Sequence, residues 1–166
     1  VTALGALITK FKKIQRINLS ECLEPVQEVL LDAAREAFRT GGRSNGEAWA
    51  GYGGEPKYAA YKKALGASPQ PLRWVPGSME RLYPSLTNPR DSNHLWRLSG
   101  GKATFGSTLP YIAKIESGGV NQFGERFPGR KILPINQSLR DEVVKSVKFN
   151  FYRAISRTSQ LSVENK

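Results

Sequence analysis

From Asn18 to Arg39 the apolar residues Leu23, Val26, Leu30, Ala33, Ala34, Ala37 and Phe38 recur at spacings of three and four, which predicts an amphipathic helix with one buried face. Asn18 and Ser20 stand where an N-cap belongs, Pro25 suits a first turn or marks a later start, and Gly41 with Gly42 ends the element. Leu139, Val143, Val147, Phe151 and Ile155 repeat the period and predict a closing helix, with Ser138 and Asp141 in capping-box spacing. Between the helices the period shortens. Residues 94–98 and 102–105 alternate around Ser99, Gly100 and Gly101, the signature of a hairpin. Leu82 to Thr87 reads as a short strand and Phe127 to Ile135 as a last extended segment. Pro110 opens a short helix carrying Tyr111, Ile112 and Ile115, which Gly118 and Gly119 terminate.

Residues 40–71 follow neither period. They are dense in Gly and Pro and punctuated by Trp49, Tyr52, Tyr58 and Tyr61, so they read as a long irregular arm whose aromatics pack on a surface. The arm has no core of its own, which makes it the expected first site of proteolysis. The order of helix, arm, antiparallel strands, short helix, strand and helix predicts an α+β fold: a small antiparallel sheet packed with a long N-terminal and a C-terminal helix. At 166 residues the chain fits one domain, 1–166, with a basic segment at 1–17, the arm at 40–71 and a fraying tail at 157–166.

Composition narrows the chemistry. No apolar run approaches the ~18 residues of a membrane helix, so no membrane partner is expected. The opening residues are too short in apolar content for a secretory signal and carry their charge on the wrong side of it; Val1 reads as the residue left after Met removal. One cysteine and one histidine exclude an internal disulfide framework and a tetrahedral Cys/His zinc site; synthesis in a reducing cytoplasm follows. A Ser-His-Asp arrangement would have to use His94, near Asp91, and a lone histidine beside a hairpin reads instead as a surface or half-buried residue whose removal is near neutral. Cys22 falls among helix apolar residues as a buried thiol. Gly51, Gly53 and Gly54 lack the ending of a phosphate loop. No catalytic residue, metal ligand or cofactor is expected, and the chain reads as a non-enzyme.

Net charge is +11, unevenly spread. Lys10, Lys12, Lys13 and Arg16 face no acid in the first 17 residues, and then Glu21, Glu24, Glu28, Asp32 and Glu36 follow with only Arg35 among them up to Phe38. Glu28, Asp32 and Glu36 share a helical face, where like charges cost about 0.2–0.5 kcal/mol per pair, so a basic partner for that row is expected. The basic segment either meets such an acidic row in head-to-tail association or faces DNA, with protein contact favoured. KYAAYKK and KFNFYR interleave cations with rings, as single-strand binders do. In the second, Phe151 lies on the core face, and Lys148 and Arg153 read as its solvated flank.

Taken in order, the helix ending near Phe38, then Gly46 and Trp49, Tyr58 and Lys62, Leu72, RLYPSLT with Leu86, FGSTLPYIAKIESGG and FPGRKILPI before a final helix resemble the tailed-phage virion morphogenesis family, also called tail-completion or neck proteins. The resemblance runs from about Asn18 to Ile155, and Gly106, Tyr111, Glu116, Gly118, Gly119, Pro128, Arg130 and Leu133 occupy its most diagnostic positions. Many members have His-Gln where this chain has Ile115 and Glu116, which marks a variant branch. The resemblance implies a structural protein in a homo-oligomeric ring, six- or twelve-fold, that joins the head connector to tail terminator or tube proteins. It implies residence at the head-tail junction of a virion assembled in the host cytoplasm, with non-specific contact to packaged DNA. Arg130 is expected to hold carbonyls or a carboxylate, with Glu116 as the candidate. From another class, a basic nucleic-acid-binding protein acting outside a particle fits the charge, and a small hydrolase around His94 is a weaker third.

Overall fold

Asn18 does cap a helix, and Pro25 ends that helix early. In the computed structural model, which describes residues 17–67 apart from 47, residue 72, residues 82–160 apart from 134, and positions 5, 8, 11, 12, 14 and 15, the Asn18 Oδ1 accepts from the Ser20 N–H at 3.0 Å. Helix α1 then covers only Leu19–Leu23, and α2 starts afresh at Val26–Thr40. Proline has no N–H to give the preceding turn but fits a first turn, so the break falls at Pro25. Helix α2 buries Val26, Leu31, Ala34, Ala37 and Phe38, and it stops at Gly41, whose φ of 62° is the left-handed C-cap conformation.

Two sequence expectations give way next. Residues 40–67 are folded structure: single 3₁₀ turns at Arg43–Asn45 and Tyr52–Gly54, then helix α3 at Pro56–Ala64 with proline in its first turn. The irregular reading failed because KYAAYKK buries Lys62, with Tyr58 and Ala59 half-buried beside it, leaving no apolar period to detect. Residues 68–71 lie outside the described residues. Leu82–Thr87 is a helix, α4, rather than a strand. A six-residue run with Leu, Tyr and Leu suits either period, and here the Ser85 and Thr87 hydroxyls bond back to the Leu82 and Tyr83 carbonyls within the helix. The Arg35 guanidinium donates to the Thr87 carbonyl at 3.0 Å, satisfying its last turn.

The hairpin forms as expected. Strand β1 (His94–Ser99) pairs antiparallel with β2 (Lys102–Ser107), Trp96 opposite Phe105, around Gly100 and Gly101 with φ of 55° and 73°. Helix α5 (Ile112–Ser117) leads directly into β3 (Gly118–Val120), which pairs with β4 (Arg126–Pro128) as a second two-stranded ladder. Among the described residues beyond Pro128, the extended segment expected to Ile135 carries no further ladder. Helix α6 (Gln137–Gln160) closes the described chain, so residues 157–160 continue the helix; 161–166 lie outside the described residues. Its cap is Asn136, whose Oδ1 accepts from the Leu139 N–H at 2.9 Å, and not Ser138. Leu139, Val143, Val147, Phe151 and Ile155 form its packed face, against α1 and α2.

The architecture is α+β. Ala34, Ala37 and Phe38 of α2, Trp49, Leu82 and Leu86 of α4, Leu109 and Ile132 make its central core, with Leu133 packed at the edge. Phe38 sits edge-on to both Trp49 and Tyr83, centroids 5.2 and 5.1 Å away. The supposed arm is thus pinned to the core by its own tryptophan.

Candidate functional site

Arg130 follows β4, and its backbone N–H donates to the Ile115 carbonyl at 2.9 Å, which holds the residue against the end of α5. Its guanidinium then points inward. Nε donates to the Ala50 carbonyl at 3.2 Å and one terminal nitrogen to Glu55 at 2.7 Å, with both side chains nearly sealed from solvent. The carbonyl and the carboxylate are the kinds of partner expected, but Glu116 is exposed and Glu55 takes its place. Sequence reasoning missed Glu55, one of two acids in a Gly- and Pro-rich run.

Around this pair the arm and the second ladder interlock. The Tyr52 ring lies under the Lys62 ammonium (4.8 Å) and the Arg130 guanidinium (5.3 Å), and Lys62 donates to the Tyr52 hydroxyl at 3.0 Å. Burial pushes the Tyr52 phenol well above its usual range, with the neighbouring Tyr58 phenol adding to the rise. Tyr58 is raised too, first by burial and then by the Glu55 charge. Tyr58 and Tyr61 of α3 stack loosely on Phe123 from the β3–β4 turn. Asn121 organises that turn by accepting from the Phe123 and Glu125 N–H groups while donating to Glu125 and, at 3.4 Å, to Glu55. Glu125 in turn accepts from the Lys57 and Tyr58 N–H groups at the start of α3. Partial burial works against its charge, and those three sets of hydrogen bonds outweigh it and hold the carboxyl below the usual range.

Two glycines make the crossing possible. A Cβ on Gly129 would lie 2.4 Å from the Glu116 carbonyl oxygen, and one on Gly118, at φ 80°, would lie 2.7 Å from the Gly129 nitrogen. Backbone meets backbone there, so neither neighbour can yield. Gly119 and Pro128 frame the same crossing, with Lys114 alongside Gly119. Of the residues singled out in the sequence, Trp49, Tyr58, Lys62, Gly118, Gly119, Pro128 and Arg130 are therefore brought together, and the Trp49 Nε1 ties the knot to the core by donating to the Lys131 carbonyl at 2.8 Å. Leu86 and Leu133 belong to the core, and Tyr111 is partly exposed where α5 begins. Gly106 stands in β2 opposite Leu95 with open space around its missing side chain.

The acidic row has partners within its own helix. Asp32 and Glu28 both approach Arg35, at 2.6 and 3.6 Å, and Glu36 holds Arg39 at 2.6 Å. The row expected to meet an external cation thus shares two arginines of its own helix among three carboxylates. Lys12 is exposed on a helical turn, and Lys10, Lys13 and Arg16 lie outside the described residues. His94 is a structural bolt: its Nδ1 donates to the Ser85 carbonyl at 2.8 Å, which leaves Nε2 to accept from the Gln27 amide at 3.1 Å. Asp91 accepts instead from the Asn93 N–H, so the near-neutral role expected for His94 is replaced by a tie between α2, α4 and β1. Cys22 is buried, and burial pushes its thiol up.

Chemically the knot is closed on itself. Among the described residues every buried side-chain nitrogen and oxygen has a hydrogen-bond partner, no group of three His, Cys, Asp or Glu is placed to hold a metal ion, and no helix is long and apolar enough to cross a membrane. What the arrangement can do is hold residues as many as 82 positions apart in fixed relation. No protein-family model, no curated protein and no solved structure matches this chain.

Proposed function

We propose that this chain is a virion structural protein of the neck or tail-completion type, a subunit of a ring at the head-tail junction that joins connector to tail. The observation that carries the reading is the convergence of Trp49, Tyr58, Lys62 and Arg130 on the Gly118 and Pro128 crossing. These are among the residues that carry the family resemblance, and their meeting in one interlocked unit supports the reading. The buried Arg130–Glu55 pair and its hydrogen bonds fix one relative position of arm, α5 and the second ladder, as a subunit repeating one heterologous contact around an axis requires.

Material for such contacts lies on the outside. Ile8, Phe11 and Ile14 at 47%, 59% and 44% exposure, together with the exposed Leu65 at the end of α3, are apolar residues open to a neighbour. Ring closure of six or twelve copies, with the connector on one face and tail terminator or tube proteins on the other, completes the reading. The protein then works by contact and not by catalysis.

The basic nucleic-acid-binding alternative draws support from exposed rings among the cations of α6. A neck ring surrounds the DNA path, so nucleic-acid contact belongs to both readings and joining separates them. Electron microscopy of lysates from a virus unable to make this chain is expected to show filled heads and finished tails unjoined. Complete joined particles in that lysate would overturn the proposal.

A further inference from the structure

The outer face of α6 carries two rings that stand largely in solvent, Tyr152 with one edge toward the neighbouring Phe151 ring, centroids 6.4 Å apart. Phe149 and Tyr152 are 65% and 66% exposed, one turn apart, while Phe151 between them faces inward. Lys145, Lys148 and Arg153 surround them on the same exposed face, within a length of about 12 Å at 1.5 Å per residue. A solvated flank needs no aromatic rings. From this juxtaposition we infer that the outer face of α6 binds single-stranded nucleic acid, the rings stacking on unpaired bases and the three cations meeting phosphates.

Charge and geometry select that occupant. A second copy seated face to face would set Lys145, Lys148 and Arg153 against the same cations, which repel. The acidic row of α2, the most concentrated acid of the chain, already shares Arg35 and Arg39 among its three carboxylates and so offers a neighbouring copy one net negative charge against three cations. A polyanion with flat apolar faces answers both halves of the stripe at once, whereas a duplex hides those faces in its stack. Arg153 also borders a cleft of about 190 Å³ shared with Asn18, Glu21, Asn150 and Arg157. The Glu21 carboxylate opposes an anion there, so the stripe is the site and the cleft is not. The inference stands on α6 alone and holds for a ring subunit and for a protein acting outside a particle.

The test is fluorescence anisotropy of a labelled oligothymidylate titrated with the full chain at several salt concentrations. The wild type is expected to bind at low salt and to bind a duplex of equal length more weakly. Phe149→Ala and Tyr152→Ala should each weaken single-strand binding by at least about fivefold, since stacking is lost, with thermal melting unchanged because both rings are exposed. Changing Lys145, Lys148 and Arg153 together to Gln should flatten the log-log salt slope by about 2, the value for three phosphate contacts to a single strand. Lys102→Glu, exposed on β2, is the control and should leave the ring dependence intact. No binding by the wild type, or full affinity in the double ring variant, would overturn the inference. Polyglutamate bound as tightly as the oligonucleotide and with the same dependence on the rings would also overturn it, transferring the face to an acidic protein.

Discussion

Replacing Arg130 with Met keeps the bulk of the side chain and removes its charge, which isolates the ion pair from the packing around it. In the wild type Arg130 and Glu55 are 4% and 3% exposed, and the Glu55 carboxylate receives a further, long bond of 3.4 Å from Asn121. The variant therefore strands a carboxylate in the interior and also leaves the Ala50 carbonyl without its Nε donor. Breaking a buried pair in this way costs about 3–5 kcal/mol. For a chain of this size each kcal/mol moves the melting temperature by about 2–4 °C, so a fall of about 6–20 °C is expected. Glu55→Gln alone strands the guanidinium in the same fashion. The double variant Arg130→Met, Glu55→Gln removes both charges and should lose at least about 2 kcal/mol less than the sum of the single losses. Urea unfolding followed by tryptophan fluorescence reads the cycle, because Trp49 hydrogen-bonds to Lys131, next to Arg130. A single Arg130→Met variant within about 0.5 kcal/mol of wild type, or strict additivity, would refute the account of the knot.

Three further outcomes follow from the same geometry. Gly129→Ala should destabilise the chain severely, since its Cβ would meet the Glu116 carbonyl at 2.4 Å, whereas Gly106→Ala, with open space around it, should be near neutral by thermal melting. His94→Ala should cost about 1–3 kcal/mol by leaving the buried Ser85 carbonyl and the Gln27 amide unpaired, measurable by urea unfolding. Glu125 is held below the usual carboxylate value of 4.5, so its contribution to stability is complete above that pH and is lost as pH falls through the depressed folded value. Glu125→Gln should accordingly be less stable than wild type at neutral pH, with the difference shrinking on acidification below 4.5.

What could be read from the chain was whatever repeats. Helix α2, the packed face of α6 and the β1–β2 hairpin each present several residues in one period, and the burial pattern follows them. Leu82–Thr87 is too short for its period to decide between helix and strand, and local hydroxyl bonding decided it. Helix α3 was invisible because its inward residue is Lys62, which is buried only because Tyr52 receives it. No local signal announces that Glu55 belongs to Arg130, 75 positions away; the ladder β3–β4 and its glycine crossing bring them together. Arg130 itself was legible as a cation between a Pro-Gly step and an apolar segment. The acidic row misled for a simpler reason: Arg39 lies just beyond the last acid, and Arg35 reaches both Asp32 and Glu28. Lys148 and Arg153 read as a solvated flank, but apolar identity says little about whether a particular ring is covered, and Phe149 and Tyr152 stand exposed among those cations.

The most direct test of the neck proposal is a reconstruction of particles of the virus that encodes this chain, with the density at the head-tail junction compared with the fold described above. The account predicts six or twelve symmetric copies between connector and tail, each with the Arg130–Glu55 knot formed and its exposed apolar residues against neighbouring subunits. A junction built without this chain, or a single asymmetric copy there, would contradict it.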